Sequence, residues 1–125
     1  MIHELSRILK RMGFSAALHG YKYSRYAILL AIKNPTIIHQ ITTELYPAIA
    51  DHFKVSASSV ERCIRNSIES AWLRGDNEFN YDLFQYSIDA NRGKPTNSEF
   101  ISVITEYFLL KYSMEEIQTE DNKDI

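Results

Sequence analysis

Four polar side chains lie close together in one stretch of this chain: Glu61, Arg62, Arg65 and Asn66. Arginine binds O6 and N7 of guanine through two parallel hydrogen bonds, and glutamate accepts a hydrogen bond from N4 of cytosine. Arg62 and Arg65 are three residues apart, so in a helix they lie on neighbouring turns of one surface. This set of side chains therefore has the chemistry and spacing to read base edges in a DNA major groove.

The stretch that contains these residues, IADHFKVSASSVERCIRNSIESAW at 49–72, predicts two helices joined by a tight turn. The leading helix is predicted at 48–53, with Ala50 small enough for a helix crossing, and the trailing helix at 57–74. Ser56 or Ser58 could cap the trailing helix. Lys54 stands where such a turn usually has glycine, which carries a small penalty if the position has positive φ.

Apolar and polar residues separate cleanly on the trailing helix. The inner stripe is predicted to be Val60, Cys63, Ile64, Ser67, Ile68, Ala71 and Trp72. The opposite face carries Ser58, Ser59, Glu61, Arg62, Arg65, Asn66 and Glu69. A helix buried on one side and rich in forked donors on the other suits major-groove insertion. Many amphipathic helices carry the same residue types only as a solvated face, and the pattern alone leaves both interpretations open.

The charge of the whole chain gives little support for binding an anionic polymer. The formal net charge is −2, although contacts to phosphate require cations. The distribution is uneven, because residues 115–125 hold five acidic groups and one basic group. The other residues carry 13 basic and 11 acidic groups. Any affinity for DNA must therefore come from local placement of charge.

Helical spacing recurs along the rest of the chain. Further helices are predicted at 2–12, 23–33, 36–46, 80–86 and 97–112. Gly13 should end the first of them, and Thr96 with Glu99 forms a capping box after a loop at 91–95. The expectation is one compact all-α domain at 1–114 with a central helix-turn-helix, followed by an acidic, disordered tail at 115–125.

Other chemistries find less support in the residues. The four histidines and Cys63 form no close ligand pair, so no metal site or other cofactor is expected. No acid–base or nucleophile constellation suggests an enzyme. The tyrosines at 21, 23 and 26 could stack bases, but packing is favoured. No apolar run reaches the ~18 residues of a membrane span and no signal peptide is visible, which predicts a cytoplasmic protein.

The chain resembles the C-terminal DNA-binding effector domain of the stage 0 sporulation protein A family of response regulators. The matching segments are GYKYSRYAI at 20–28, ITTELYPAIADHF at 41–53, SSVERCIRNSIESAWLRG at 58–75 and KPTNSEFI at 94–101. The resemblance implies six helices and binding to TGTCGAA-like boxes, often in tandem or as dimers. The family's base-reading residues fall on Glu61, Arg62 and Arg65.

The resemblance also implies partners. The family's contact with the RNA polymerase sigma subunit, which supports activation at some promoters beside repression at others, maps to Asp76, Asn77, Glu78, Phe79 and Phe84. Full-length members carry a phosphoacceptor receiver domain ahead of this one, and no such α/β sequence is present in these 125 residues. The chain is therefore either an excised effector domain or a free-standing relative. The low net positive charge, the acidic tail and a segment at 77–86 that differs from the family version keep an alternative open, a stand-alone protein-interaction module that binds a receiver domain, a sigma subunit or a full-length relative, with weak or no DNA binding.

Overall fold

The computed structural model of the chain describes residues 1–85 and 93–119. All regular structure in these ranges is helical, which confirms the all-α class. The seven α-helices of the described ranges are α1 (Ile2–Met12), α2 (His19–Lys33), α3 (Tyr46–Phe53), α4 (Ala57–Arg74), α5 (Asn77–Phe84), α6 (Asn97–Lys111) and α7 (Met114–Thr119). A 3₁₀ helix, Pro35–Gln40, and a π-helical turn, Ile41–Leu45, connect α2 to α3. None of the described helices is long and apolar enough to cross a lipid bilayer.

Helix α2 is the centre of the core. It packs against α1, α3, α4 and α6, and nine of its fifteen residues are buried. The apolar side chains around it that are shielded completely from solvent include Leu5, Leu9, Met12, Ile49, Ile64, Phe100 and Phe108. Helix α4 packs on both α2 and α3, so its inner stripe is held against a rigid support. Its other face lies partly against the start of α6 and is otherwise directed to solvent.

Gly20 allows α2 and α4 to approach at backbone distance. A Cβ atom on Gly20 would lie 1.9 Å from the Ser67 hydroxyl oxygen and 2.4 Å from the carbonyl oxygen of Cys63. Both distances are far shorter than a van der Waals contact. The carbonyl is part of the backbone of α4, which is packed on the core and cannot easily move away. Glycine at this position therefore helps to fix where α4 lies on the domain.

Glu4 joins the first helix to the end of α6. Its carboxylate accepts hydrogen bonds from the hydroxyl groups of Tyr107 at 2.7 Å and Tyr112 at 2.6 Å, and pairs with Lys111 Nζ at 2.6 Å. The Glu4 side chain is only 15% exposed. Desolvation by itself raises its pKa, but the hydrogen bonds from these three donors outweigh that effect and lower the pKa to about 2.

Several predicted helix bounds were wrong where distant parts of the chain decide the backbone. Helix α2 begins at His19 instead of Tyr23. The helix predicted at 36–46 is replaced by the 3₁₀ and π segments, in which Ile37 and Leu45 are buried against the core. Ile38 and Ile41 in the same segments are half-buried and also pack against the core. Helix α5 begins at 77, and the part of its prediction beyond residue 85 lies outside the described residues, as do 91 and 92 of the predicted loop.

The start of the acidic tail is helical, contrary to the predicted disorder. Ser113 and Glu116 form reciprocal hydrogen bonds at the start of α7, with distances of 3.1 and 3.2 Å. Ile117 inserts into the core and is 2% exposed, which gives the short helix an apolar reason to pack. The domain boundary at 114 stays a prediction, and residues 120–125 lie outside the described part of the chain.

Candidate nucleic-acid interface

The turn between α3 and α4 has the geometry of a helix-turn-helix. Lys54 adopts the left-handed conformation, with φ 59° and ψ 48°. The amide of Val55 donates to the carbonyl of Ala50 at 3.0 Å and closes the turn. The positive φ considered for Lys54 is thus present, and a side chain stands where glycine would be free of strain.

Helix α4 begins with a serine cap on its solvent side. The hydroxyl of Ser56 accepts a hydrogen bond from the amide of Ser59 at 3.1 Å and lies 3.3 Å from the hydroxyl of Ser58. Ser56 is therefore the cap of the two candidates. Ser58 is exposed and Ser59 is half-buried, so the first turn of α4 presents hydroxyl groups to solvent.

Most of the predicted polar face of α4 points outward, whereas Ser59, Glu61 and Glu69 are half-buried. Arg62, Arg65 and Asn66 are exposed, while Val60 and Ile64 on the opposite side are completely buried. Arg62 forms no ion pair with any residue in the described ranges. Its guanidinium group is therefore available to a ligand, with all five N–H donors of the fork.

Glu61 and Arg65 form a two-pronged ion pair along the helix. Nε of Arg65 donates to Oε2 of Glu61 at 3.0 Å, and Nη2 donates to Oε1 at 3.3 Å. The hydrogen bond to Glu61 raises the pKa of Arg65 above its already high ordinary value. The side chain of Arg65 is 51% exposed and that of Glu61 is 38% exposed, so the pair adds little to stability. Its effect is to hold both groups in one orientation on the outward face.

The start of α6 lies against the same turn of α4. The side-chain amide of Asn97 donates to the hydroxyl of Tyr46 and to the backbone carbonyl of Glu61, both at 3.1 Å, and approaches Oε2 of Glu61 at 3.5 Å. Lys94 pairs with Glu69 at 3.4 Å beside it. Asn97 was not among the residues predicted for this interface. The capping box located the start of α6, but nothing local indicated which helix this start would contact.

The segment predicted to face a sigma subunit is partly exposed. Asp76 caps α5 by accepting from the amide of Phe79 at 3.0 Å, and this bond with that from Arg11 holds the pKa of Asp76 below its usual range. The guanidinium of Arg11 stacks over the ring of Phe79 at 4.4 Å. Asn77 and Glu78 are exposed.

Phe84, predicted as part of the sigma contact, is buried and not available to a partner. It is 1% exposed, and its ring packs edge-on against Trp72 with 5.3 Å between centroids. The sequence position at the end of a short amphipathic helix did not show which side faces the core. Phe84 therefore acts in packing α5 onto α4.

The tyrosines at 21, 23 and 26 and Cys63, also considered from the sequence, are packed against other side chains. Tyr21 and Tyr23 are buried, which agrees with packing, and Tyr26 stacks on His52 with 4.2 Å between ring centroids. Cys63 is half-buried and packs against the core. Within the described ranges, no three histidine, cysteine or acidic side chains come together as metal ligands.

The fold and this outward face define the class of the protein, an all-α domain in which the second helix of a helix-turn-helix presents charged side chains to solvent. Residues 5–108 match the family described as the sporulation initiation factor Spo0A C terminal. Because the match spans most of the chain, the protein belongs to this family, whose members are DNA-binding transcription regulators of sporulation. The family is a regulatory one and not a family of enzymes.

Proposed function

We propose that this domain binds short TGTCGAA-like boxes by inserting α4 into the major groove, with Glu61, Arg62 and Arg65 as the base-reading residues. The observation that supports the proposal is the pair of outward arginines on a helix whose opposite side is locked into the core. The net charge of the chain does not drive binding, so specific contacts from this face carry it.

The geometry suggests a different role for each side chain. Arg62, whose guanidinium has no ion-pair partner among residues 1–85 and 93–119, suits O6 and N7 of a guanine. Arg65 uses Nε and Nη2 on Glu61, and its remaining N–H groups can reach a second guanine. The Glu61 carboxylate can also accept from N4 of a cytosine. Ser58, Ser59 and Asn66 flank these groups on α4 and are proposed to contact the neighbouring backbone or base edges.

Replacement of Arg62 by alanine tests this assignment. Arg62→Ala should weaken binding to a TGTCGAA duplex by about 1–3 kcal/mol and flatten the base preference at one position. Fluorescence anisotropy with the duplex and with single-base variants measures both quantities at one salt concentration. Arg7→Ala, which removes an exposed charge from α1, is the matched control and should change affinity by less than about twofold. Equal binding of the box by Arg62→Ala and the parent protein would refute the assignment.

A second candidate function is a protein contact through α5, either in addition to DNA binding or in its place. Asp76, Asn77 and Glu78 are exposed together with Tyr81, whose side chain is 66% exposed although it is large and aromatic. Such a face suits a sigma subunit, a receiver domain or a full-length relative. Two copies of the domain bound to tandem boxes could pair through the same face. A salt titration distinguishes the two functions, because DNA binding weakens steeply as salt rises. Absence of binding to the box at low salt would favour the interaction module.

A further inference from the structure

We propose that Asn97, at the start of α6, is a positioning residue for base recognition: its buried amide sets the orientation of Glu61 and, through Glu61, of Arg65. The inference rests on the proposed function, because it concerns how two of the proposed reading residues are held. Asn97 is 36 positions away from Glu61 in the chain and lies on another helix. It would not touch DNA itself.

The contacts of Asn97 converge on one turn of α4. The side-chain amide has two N–H groups and faces three acceptors, the hydroxyl of Tyr46, the backbone carbonyl of Glu61 and the Glu61 carboxylate. Asn97 is 9% exposed and Tyr46 is 7% exposed, so competition from water is weak. The amide therefore ties α4 to α3 and α6 at the position from which Glu61 projects.

The orientation of the Arg65 guanidinium depends on that of the Glu61 carboxylate. Oε2 of Glu61 lies 3.5 Å from the Asn97 nitrogen and 3.0 Å from Nε of Arg65, while Oε1 receives Nη2 of Arg65. A fork-to-fork pair fixes the relative plane of guanidinium and carboxylate. When the carboxylate is anchored from the protein side, the guanidinium is held for its ligand before DNA arrives. Preorganisation of this kind reduces the ordering cost of binding.

Helix α6 does not need the Asn97 amide in order to begin. The Thr96 hydroxyl accepts from the amide of Glu99 at 3.1 Å, and the Glu99 carboxylate accepts from the amide of Thr96 at 2.8 Å. This capping box serves the local backbone donors, so the Asn97 side chain is free to point at another helix. The Asn97 amide therefore serves the contact with α4 and not the start of α6.

Asn97→Asp is the sharpest test, because it keeps the shape of the side chain and removes the donor. An acid in the first turn of a helix is favoured by the helix dipole, so α6 should remain intact. The new carboxylate faces Glu61 and should displace it, with Arg65, from the observed orientation. With a TGTCGAA duplex and its single-base variants, preference at the base pairs read by Glu61 and Arg65 should fall about tenfold. Preference at the pair read by Arg62 should change by less than about twofold.

Ser98→Asp is the matched control. It adds the same charge one residue later, on an exposed side chain at the start of α6. Its affinity should fall equally for every duplex, with an unchanged base preference. Asn97→Ala, which removes the amide without adding charge, should lower preference at the same base pairs as Asn97→Asp. In a Glu61→Ala background, which lacks the carboxylate through which Asn97 is proposed to act, Asn97→Asp should cause no larger loss of preference than Ser98→Asp does.

The outcomes separate this inference from the proposed function. A parent protein that prefers the box, together with Asn97 variants of unaltered preference, would overturn the positioning role alone. Variants that lose affinity equally for all sequences, or that lose folded structure by circular dichroism in both the Asp and Ala forms, would also overturn it and indicate a purely structural residue. A parent protein with no preference for the box would overturn the proposed function and the inference with it.

Discussion

Replacement of Glu4 by glutamine should destabilise the domain by an amount that depends on pH. The folded protein lowers the pKa of this carboxyl from 4.5 to about 2. Each unit of difference between folded and unfolded states corresponds to about 1.4 kcal/mol. The ionised carboxylate therefore contributes on the order of 3 kcal/mol to the free energy of unfolding at pH 7. Glutamine can still accept a hydrogen bond through its carbonyl oxygen, so this figure is an upper bound for the substitution.

The sign of the pH dependence follows from the lowered pKa. The stabilisation is fully present above the unfolded pKa of 4.5 and is lost as the pH falls towards about 2, because the unfolded chain then binds a proton more readily than the folded one. At pH 3 about 1.4 kcal/mol should remain. The difference in stability between the parent protein and Glu4→Gln should therefore shrink by up to about 2 kcal/mol between pH 7 and pH 3.

Urea unfolding followed by circular dichroism at the two pH values measures this difference directly. Glu115→Gln is the matched control, because Glu115 is an exposed acid on α7 and its replacement should change stability by less than about 0.5 kcal/mol at either pH. Tyr107→Phe removes one donor to Glu4 and should cost about 1 kcal/mol at pH 7. A Glu4→Gln penalty of equal size at pH 7 and pH 3 would refute the reasoning.

Two further predictions concern the helix-turn-helix and the last helix. Lys54→Gly should raise the free energy of unfolding by about 0.5–1 kcal/mol, since glycine adopts φ 59° without strain, whereas Lys54→Ala should give no such gain. Chemical denaturation of the parent protein and the two variants measures the difference. Equal stability of the Gly and Ala variants would contradict this prediction. Ile117→Ala should cost about 1–3 kcal/mol because it empties a buried position, while the half-exposed Met114→Ala should cost less than about 0.5 kcal/mol. Identical unfolding curves for the parent protein and Ile117→Ala would show that α7 does not pack in solution.

Local signals in the sequence were enough for the parts of the site that depend on neighbouring residues. The bounds of α4 and the capping box of α6 were predicted correctly, and the cap of α4 was limited to two serines, because hydroxyl caps, helix-breaking residues and apolar spacing act within a few positions. The same spacing placed Arg62 and Arg65 on the outer face of α4. Since a helix has a fixed period, knowing which residues are buried also determines which are exposed.

Contacts between residues far apart in the chain were decided only by the tertiary structure. No local pattern links Asn97 to Glu61 or Glu4 to Tyr107, which are 36 and 103 positions apart. The same holds for the burial of Phe84 and Ile117, since a short helix has too few turns for its periodicity to show which side faces the core. The sequence by itself thus determined the bounds of α4 and which of its side chains face outward, while the packing of α1, α6 and α7 against α2, and of α5 against α1, decided which distant side chains come into contact. The physical reason is that hydrogen-bond and apolar periodicities are short-range, whereas packing joins surfaces that become neighbours only when the chain has folded.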